Sequence, residues 1–361
     1  MLMLEGNKNV SAILQTACIG ITGALLFLLI HMPLPWLLGS LTAVVVWRKL
    51  SKQPLYWPIG FRHTAIIFLG SMLGTSFTAG TVKEMVLQFP FMASTTVITV
   101  LFCLVLAFYT VKHIKIDLAS SIFGSVPGGM SQVVVMSEET MEVDTTTVVL
   151  MQTIRSVSVI FFVPFLTVHG IGGEVRPSTA PQVNAAESGT WVQYAVFAAI
   201  ALFGAWGGKR IRLPAGFLTG SLIAVAVSVS LGLQAPHVPS YFILVAQIFL
   251  GIHIGRQFNP QMEGNVKKLG IYTIGNSLLL VLFSLGIAFL LSKWTPMDFT
   301  TAFLSAAPGG IAEMGVTASA VHADLSMVTG YQLFRIFFIM FAVLPLAQWW
   351  VRKRKKIAKS A

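Results

Sequence analysis

Gly124-Ser125-Val126-Pro127-Gly128-Gly129-Met130-Ser131-Gln132 lies inside one apolar segment, and Ser305-Ala306-Ala307-Pro308-Gly309-Gly310-Ile311-Ala312-Glu313 lies inside another, 181 residues later. In each, proline removes an N–H donor and the glycine pair relaxes the backbone, so a helix entering the segment is expected to open there. Opening frees N–H and C=O groups in an apolar stretch, where they are tolerated only if buried in protein or lining a wet cavity. The freed N–H groups and the positive end of the following half-helix suit an anion, and the freed carbonyls suit a cation. A tight turn in a helical hairpin is the simpler reading of one copy, and a duplicated pair favours a binding site.

The duplication extends well beyond these segments. Gly39-Ser40-Leu41 returns as Gly220-Ser221-Leu222, and Phe68-Leu69-Gly70 with Gly74 and Phe77 returns as Phe249-Leu250-Gly251 with Gly255 and Phe258, all at the same offset of 181. After a one-residue deletion, Asp144, Gln152 and Arg155 return as Asp324, Gln332 and Arg335, 180 apart. An ordered set at a nearly constant offset marks an internal repeat. The expected organisation is a membrane repeat over 1–168, a polar linker over 169–190, a second membrane repeat over 191–350 and a basic tail over 351–361.

Of the 361 residues, 55% are hydrophobic and only 10% charged, against roughly 25% charged in a soluble domain. That composition excludes a soluble globular enzyme and a disordered chain. Apolar runs long enough to span, beginning with Val10–Ile30, stand six on each side of the linker. The first lacks a small-residue cleavage site and reads as a retained helix. If the Pro-Gly-Gly segment of each half re-enters, each half crosses five times and the second half is inverted. The positive-inside rule favours that topology. It gathers 19 of the 24 Lys and Arg on the cytoplasmic side and leaves only Lys83, Arg176 and Lys293 outside, with Arg155 and Arg335 inside helices. The expectation is therefore an all-α polytopic membrane protein of two inverted repeats. Each has about five crossings and one re-entrant or broken helix, and both termini are cytoplasmic.

Inverted repeats with Gly/Pro-interrupted segments in matching positions point to a secondary transporter's binding site. The candidate substrate or ion site is Pro127, Gly128, Gly129 and Gln132 with Pro308, Gly309, Gly310 and Glu313. A second constellation is the charge network of Asp144, Gln152 and Arg155 with Asp324, Gln332 and Arg335. At 100° per residue, Gln and Arg fall about 80° and 20° from the Asp, on one helix face. An Arg in mid-span costs at least ~2.5 kcal/mol on insertion scales, so a partner or a wet cavity is expected. Each Arg is expected either to pair with a carboxylate or to clamp an anionic substrate. Glu313 has Gln132 as its counterpart, which makes it the candidate for proton or cation coupling.

These residues resemble the AbrB-type membrane proteins, a duplicated bacterial group some of whose members carry an ammonia monooxygenase label. The resemblance rests on Gly124 through Met130 with Asp144, Gln152, Arg155 and Pro164, and on Ala307-Pro308-Gly309-Gly310 with Glu313, Asp324, Gln332 and Arg335. It covers nearly the whole chain. It implies crossed, broken helices like those of cation/proton antiporters and anion transporters, a bacterial cytoplasmic membrane location, and a transport role or control of gene expression. A homodimer is a candidate assembly for such a fold.

A copper oxygenase needs clustered imidazoles, whereas His31, His63, His113, His169, His237, His253 and His322 are scattered singly. No enzyme activity, cofactor or metal is expected. Cys18 and Cys103 lie in separate apolar segments and form no CxxC pair. The basic run from Arg352 to Lys356 follows Trp349 and Trp350, as a juxtamembrane belt facing anionic lipid does, so no nucleic-acid partner is expected. Without a GxxxxGK[ST] motif, energy would come from a gradient of H⁺, Na⁺ or substrate. The expected function is gradient-driven transport of a small solute, with an organic anion as the candidate. The alternative is a membrane sensor or regulator that works without turnover.

Overall fold

The computed structural model describes residues 2–51, 55–140, 143–171, 189–236, 238–257 and 265–360. Most of the 169–190 linker, including Arg176, and Phe258 of the repeat lie outside the described residues. The described chain is helical throughout. The first half comprises α1 (Leu2–Leu29), α2 (Pro35–Ser51), α3 (Ile59–Thr75), α4 (Ala79–Leu87), α5 (Phe89–Ile114), α6 (Leu118–Ser125), α7 (Met130–Glu138) and α8 (Thr145–His169). The second comprises α9 (Trp191–Arg210), α10 (Gly216–Ser230), α11 (Ser240–Gln257), α12 (Asn265–Trp294), α13 (Phe299–Ala306), α14 (Ile311–Ala320), α15 (Leu325–Phe338), a π-helical turn (Ile339–Val343) and α16 (Leu344–Ser360).

Among the described residues, six helical stretches are long and apolar enough to cross a membrane: Val10–Leu29, Phe89–Ile114, Thr145–His169, Trp191–Arg210, Val266–Trp294 and Leu325–Val351. Their apolar length requires a bilayer, and the protein is an all-α multi-pass membrane protein. One of the apolar runs of the first half is broken, because α3 and α4 meet at an 87° bend. The bend falls at Ser76-Phe77-Thr78, where Ser76 Oγ donates back to the Leu73 carbonyl. A hydrophobicity window carries no signal for a turn made by a side chain bonding to its own backbone.

The chain folds into two compact units, each assembled from both halves of the sequence. One is Met1–Val82, Pro164–Gln261 and Gly315–Ser326; the other is Lys83–Val163, Met262–Met314 and Met327–Ala361.

In the first unit the repeated glycines make reciprocal contacts. A Cβ on Gly70 would sit 2.2 Å from Ser221 Oγ and 2.6 Å from the Leu218 carbonyl oxygen, and one on Gly251 would sit 2.1 Å from Ser40 Oγ and 2.5 Å from the Leu37 carbonyl oxygen. Thus α3 packs on α10 as α11 packs on α2, and the GxxxG spacings of Gly70 with Gly74 and Gly251 with Gly255 serve close helix approach. Even the strained backbone is duplicated. His31 and Leu34 before α2 have φ of 54° and 47°, and Arg212 and Ala215 before α10 have 57° and 49°. Non-glycine residues are uncommon in that left-handed region, so both copies keep the same costly turn.

The second unit holds the two broken helices. Asp117 caps α6 by accepting from Ser120 N, and Asp298, 181 residues on, caps α13 by accepting from Thr300 N and Thr301 N. Eight residues later each helix stops before its Pro-Gly-Gly, and a second helix starts at Met130 or Ile311. Nine residues separate Arg155 from Pro164, whereas ten separate Arg335 from Pro345. The π-helical turn takes up the extra residue, as a one-residue insertion into an α-helix does.

Candidate functional site

A helix leaves its last four carbonyls without intrahelical partners, a serious cost within a membrane. In the first copy Gln152 and Arg155, projecting from α8, satisfy them. Gln152 Nε2 donates to the carbonyls of Phe123 (2.7 Å) and Val126 (3.0 Å). Arg155 Nη1 donates to those of Gly124 (3.4 Å), Ser125 (3.1 Å) and Val126 (2.8 Å), while its Nη2 donates to Gln152 Oε1 (2.6 Å).

The second copy repeats the device from α15. Gln332 Nε2 donates to the carbonyls of Leu304 (2.8 Å) and Ala307 (3.1 Å). Arg335 donates to the carbonyls of Ala307 (2.6 Å) and Gly309 (2.6 Å) and to Gln332 Oε1. Gln152 and Gln332 have no exposed surface, and Arg155 and Arg335 keep 7% and 3%. The physical basis is charge against dipole, because each guanidinium sits at the negative C-terminal end of a half-helix.

This arrangement corrects two sequence expectations. Among the described residues no carboxylate is a hydrogen-bond partner of Arg155 or Arg335, so neither Arg–Asp pairing is formed there. Asp144 instead caps α8, accepting from Thr146 N and Thr147 Oγ1, and Asp324 caps α15, accepting from the N and Oγ of Ser326. Sharing a helix face is not sharing a height, since eleven residues rise roughly 16 Å. Of the carbonyls thought free for a cation, those of Phe123 to Val126 in the first break and of Leu304, Ala307 and Gly309 in the second are occupied by the protein's own Gln and Arg side chains.

Pro127 and Pro308 are buried, and Gly128, Gly129, Gln132, Gly309, Gly310 and Glu313 are half-buried. Gly129 and Gly310 stand at the N-termini of α7 and α14, and the residue at the third helical position of each turns back over the glycine. A Cβ on Gly129 would lie 2.4 Å from Gln132 Oε1, and one on Gly310 would lie 2.0 Å from Glu313 Oε2. In both copies the side chain lies over the glycine, and this arrangement accounts for the residue type there by space alone. It also puts the Glu313 carboxylate where the helix dipole favours negative charge. Gly128 packs on the π-helical turn, with a built Cβ 3.2 Å from Ile339, whereas Gly309 faces Met314.

Sequence reasoning missed the lining of one small cleft in the second unit. Thr95, Thr96 and Thr99 of α5, Ser305 and Ala306 of α13, and Tyr331 and Arg335 of α15 surround a space about the size of a water. Tyr331 Oη donates to Gln88 Oε1 at 2.9 Å. Ser305 Oγ and Arg335 Nε are buried there without a hydrogen-bond partner. The signal available beforehand was the Thr95-Thr96-x-x-Thr99 spacing, which puts hydroxyls on adjoining helix positions.

The fold and these paired breaks define a multi-pass membrane protein built on a duplicated helix-break motif. Residues 36–351 match the family described as "Transition state regulatory protein AbrB", and the chain belongs to that AbrB family. It is 26% identical over 361 residues to "Uncharacterized protein YhjN" of Bacillus subtilis (strain 168), covering 95% of this chain and 94% of that one. It is 24% identical over 319 residues to "Putative regulator AbrB" of Escherichia coli (strain K12), covering 87% and 89%.

Proposed function

We propose that the protein is a gradient-driven secondary transporter of a small solute, with an organic anion as the candidate cargo. The observation that carries this reading is the paired break, in which two duplicated half-helix ends stand inside one compact unit, each closed by a buried, permanently charged Arg with no carboxylate partner among the described residues. Keeping two such charges in a membrane protein is costly, and a helix pair needs neither for stability, because an apolar helix without a break has no orphan carbonyls. The cost is understandable if the breaks receive a ligand. Division into two units, each drawn from both halves, suits alternating access of one part against another.

In this reading the repeats are inverted, each crosses five times, and both termini face the cytoplasm of a bacterial cell. Glu313, beside the second break, would couple transport to H⁺ or Na⁺, and the chain would act without enzymatic turnover. The test is counterflow in proteoliposomes loaded with unlabelled solute. Exchange of labelled solute without an external energy source supports transport; binding without exchange supports the alternative of a membrane sensor or regulator. That alternative draws on the family description and on the printed name of the Escherichia coli relative.

A further inference from the structure

The duplicated breaks are not equivalent, and the difference lies in what surrounds each Arg. At the repeat offsets, Ser305 corresponds to Gly124, Tyr331 to Met151, and Thr95, Thr96 and Thr99 to Asn276, Ser277 and Leu280. In the first copy the space beside the break is filled by Met151, whose Sδ would lie 2.6 Å from a Cβ on Gly124. In the second copy Tyr331 is held by Gln88, and the water-sized cleft stands where hydroxyls of α5 and α13 meet Arg335. The guanidinium also shifts. Arg155 bonds three successive carbonyls from Gly124 to Val126, while Arg335 reaches across the break to Gly309 and sends no bond to the carbonyls of Ser305 or Ala306.

We propose that the carboxylate end of a small organic acid binds in this cleft, held by Thr96, Thr99, Ser305 and Arg335, with Thr95 and Tyr331, whose hydroxyls donate to the Met92 carbonyl and to Gln88 Oε1, as its walls. Two buried donors await an acceptor: Ser305 Oγ, on a residue 3% exposed and without a counterpart hydroxyl at Gly124, is unpartnered, and Arg335 Nε–H, like that of Arg155, points to no protein group. Every bond that Arg335 makes goes to a neutral acceptor, so its charge favours an anion and disfavours a metal cation. The hydroxyls of Thr96, Thr99 and Ser305 can donate to a carboxylate oxygen at close range, and charge-assisted bonds of this type are the strong ones. The water-sized cleft takes one carboxylate oxygen, so the rest of the acid lies outside it. The assignment rests on the transporter reading for the acid's role as cargo, and it names the class of that cargo.

The experiment uses the purified full chain in nanodiscs, titrated with sodium acetate, lactate and succinate at constant ionic strength, and with acetamide and lactamide as uncharged controls. Thermal midpoint and calorimetric titration are read together. The acids are expected to raise the midpoint and the amides to leave it unchanged. In a folded Ser305→Ala/Thr96→Val variant, the half-saturating acid concentration should rise at least tenfold. Thr99→Val repeats the test on a different wall, and Met151→Leu in the first copy should stay within twofold of wild type. Equal effects of acids and amides, no effect of any acid on folded wild type, or undiminished binding by both cleft variants overturns the proposal. Counterflow separates it from its premise. Exchange of some other solute by a protein that binds no acid removes the cleft assignment and leaves transport standing. Acid binding that the cleft variants abolish, without exchange in vesicles, upholds the cleft and removes transport.

Discussion

The first break and the second are the same construction carried to different ends. Around Val126 a glutamine and an arginine close the carbonyls from Phe123 to Val126, and Met151 packs against Gly124. Around Ala307 the same two side chains close the break, but a hydroxyl-lined cleft remains beside Arg335. The N-terminal side differs too, with a neutral Gln132 over Gly129 and an acidic Glu313 over Gly310. Duplication thus conserved what the membrane makes obligatory, the satisfaction of freed backbone groups. It left the lining free to diverge, and function is expected where the copies differ.

The comparison breaks first at the arginines. Arg155→Ala and Arg335→Ala each leave buried carbonyls unpaired, and each is expected to cost about 2–4 kcal/mol of stability, measured by denaturant titration in mild detergent. If only one were damaging, the two breaks would not be structurally equivalent. Lysine should restore part of the loss, because it keeps the charge but lacks the planar fork. Replacing Gln152 or Gln332 by Leu should cost about 2 kcal/mol each, through the two carbonyls each Gln serves and its bond to the neighbouring Arg.

In the other unit, Gly70→Ala and Gly251→Ala force a Cβ into a backbone carbonyl and a serine hydroxyl. Each should cost about 1–3 kcal/mol. Their reciprocal contacts predict nearly equal losses in the melting temperature, and a large disparity would break the symmetry. The smallest effect sharpens the contrast between the two helix starts. Glu313→Gln is expected to lower stability by only about 0.3–1 kcal/mol, the worth of one charge at a helix N-terminus, while removing any dependence of solute exchange on the coupling-ion gradient. The mirror substitution Gln132→Glu should leave that dependence intact.

Much of this was legible in the chain. The constant offset announced the duplication, Pro-Gly-Gly announced the breaks, and the buried arginines announced a need for partners. The partner's identity was not legible. A helical wheel places Asp144 and Arg155 on one face, yet the acceptors are carbonyls nearly thirty residues away, because burial rewards the nearest unsatisfied group rather than the opposite charge. The π-helical turn was hidden in plain sight as a one-residue change of offset between Arg335 and Pro345.

The sequence by itself determined the membrane setting, the internal repeat, the positions of the helix breaks and the family, because each follows from local composition or from residues at fixed spacing. Only the tertiary structure decided that Arg and Gln close the half-helix ends, that the aspartates are caps, that the two compact units cut across both repeats, and that a hydroxyl-lined cleft stands beside Arg335. Those outcomes depend on which groups from distant segments arrive at the same point, and on the volume of side chains such as Met151 and Tyr331. Neither spacing nor hydropathy encodes that information.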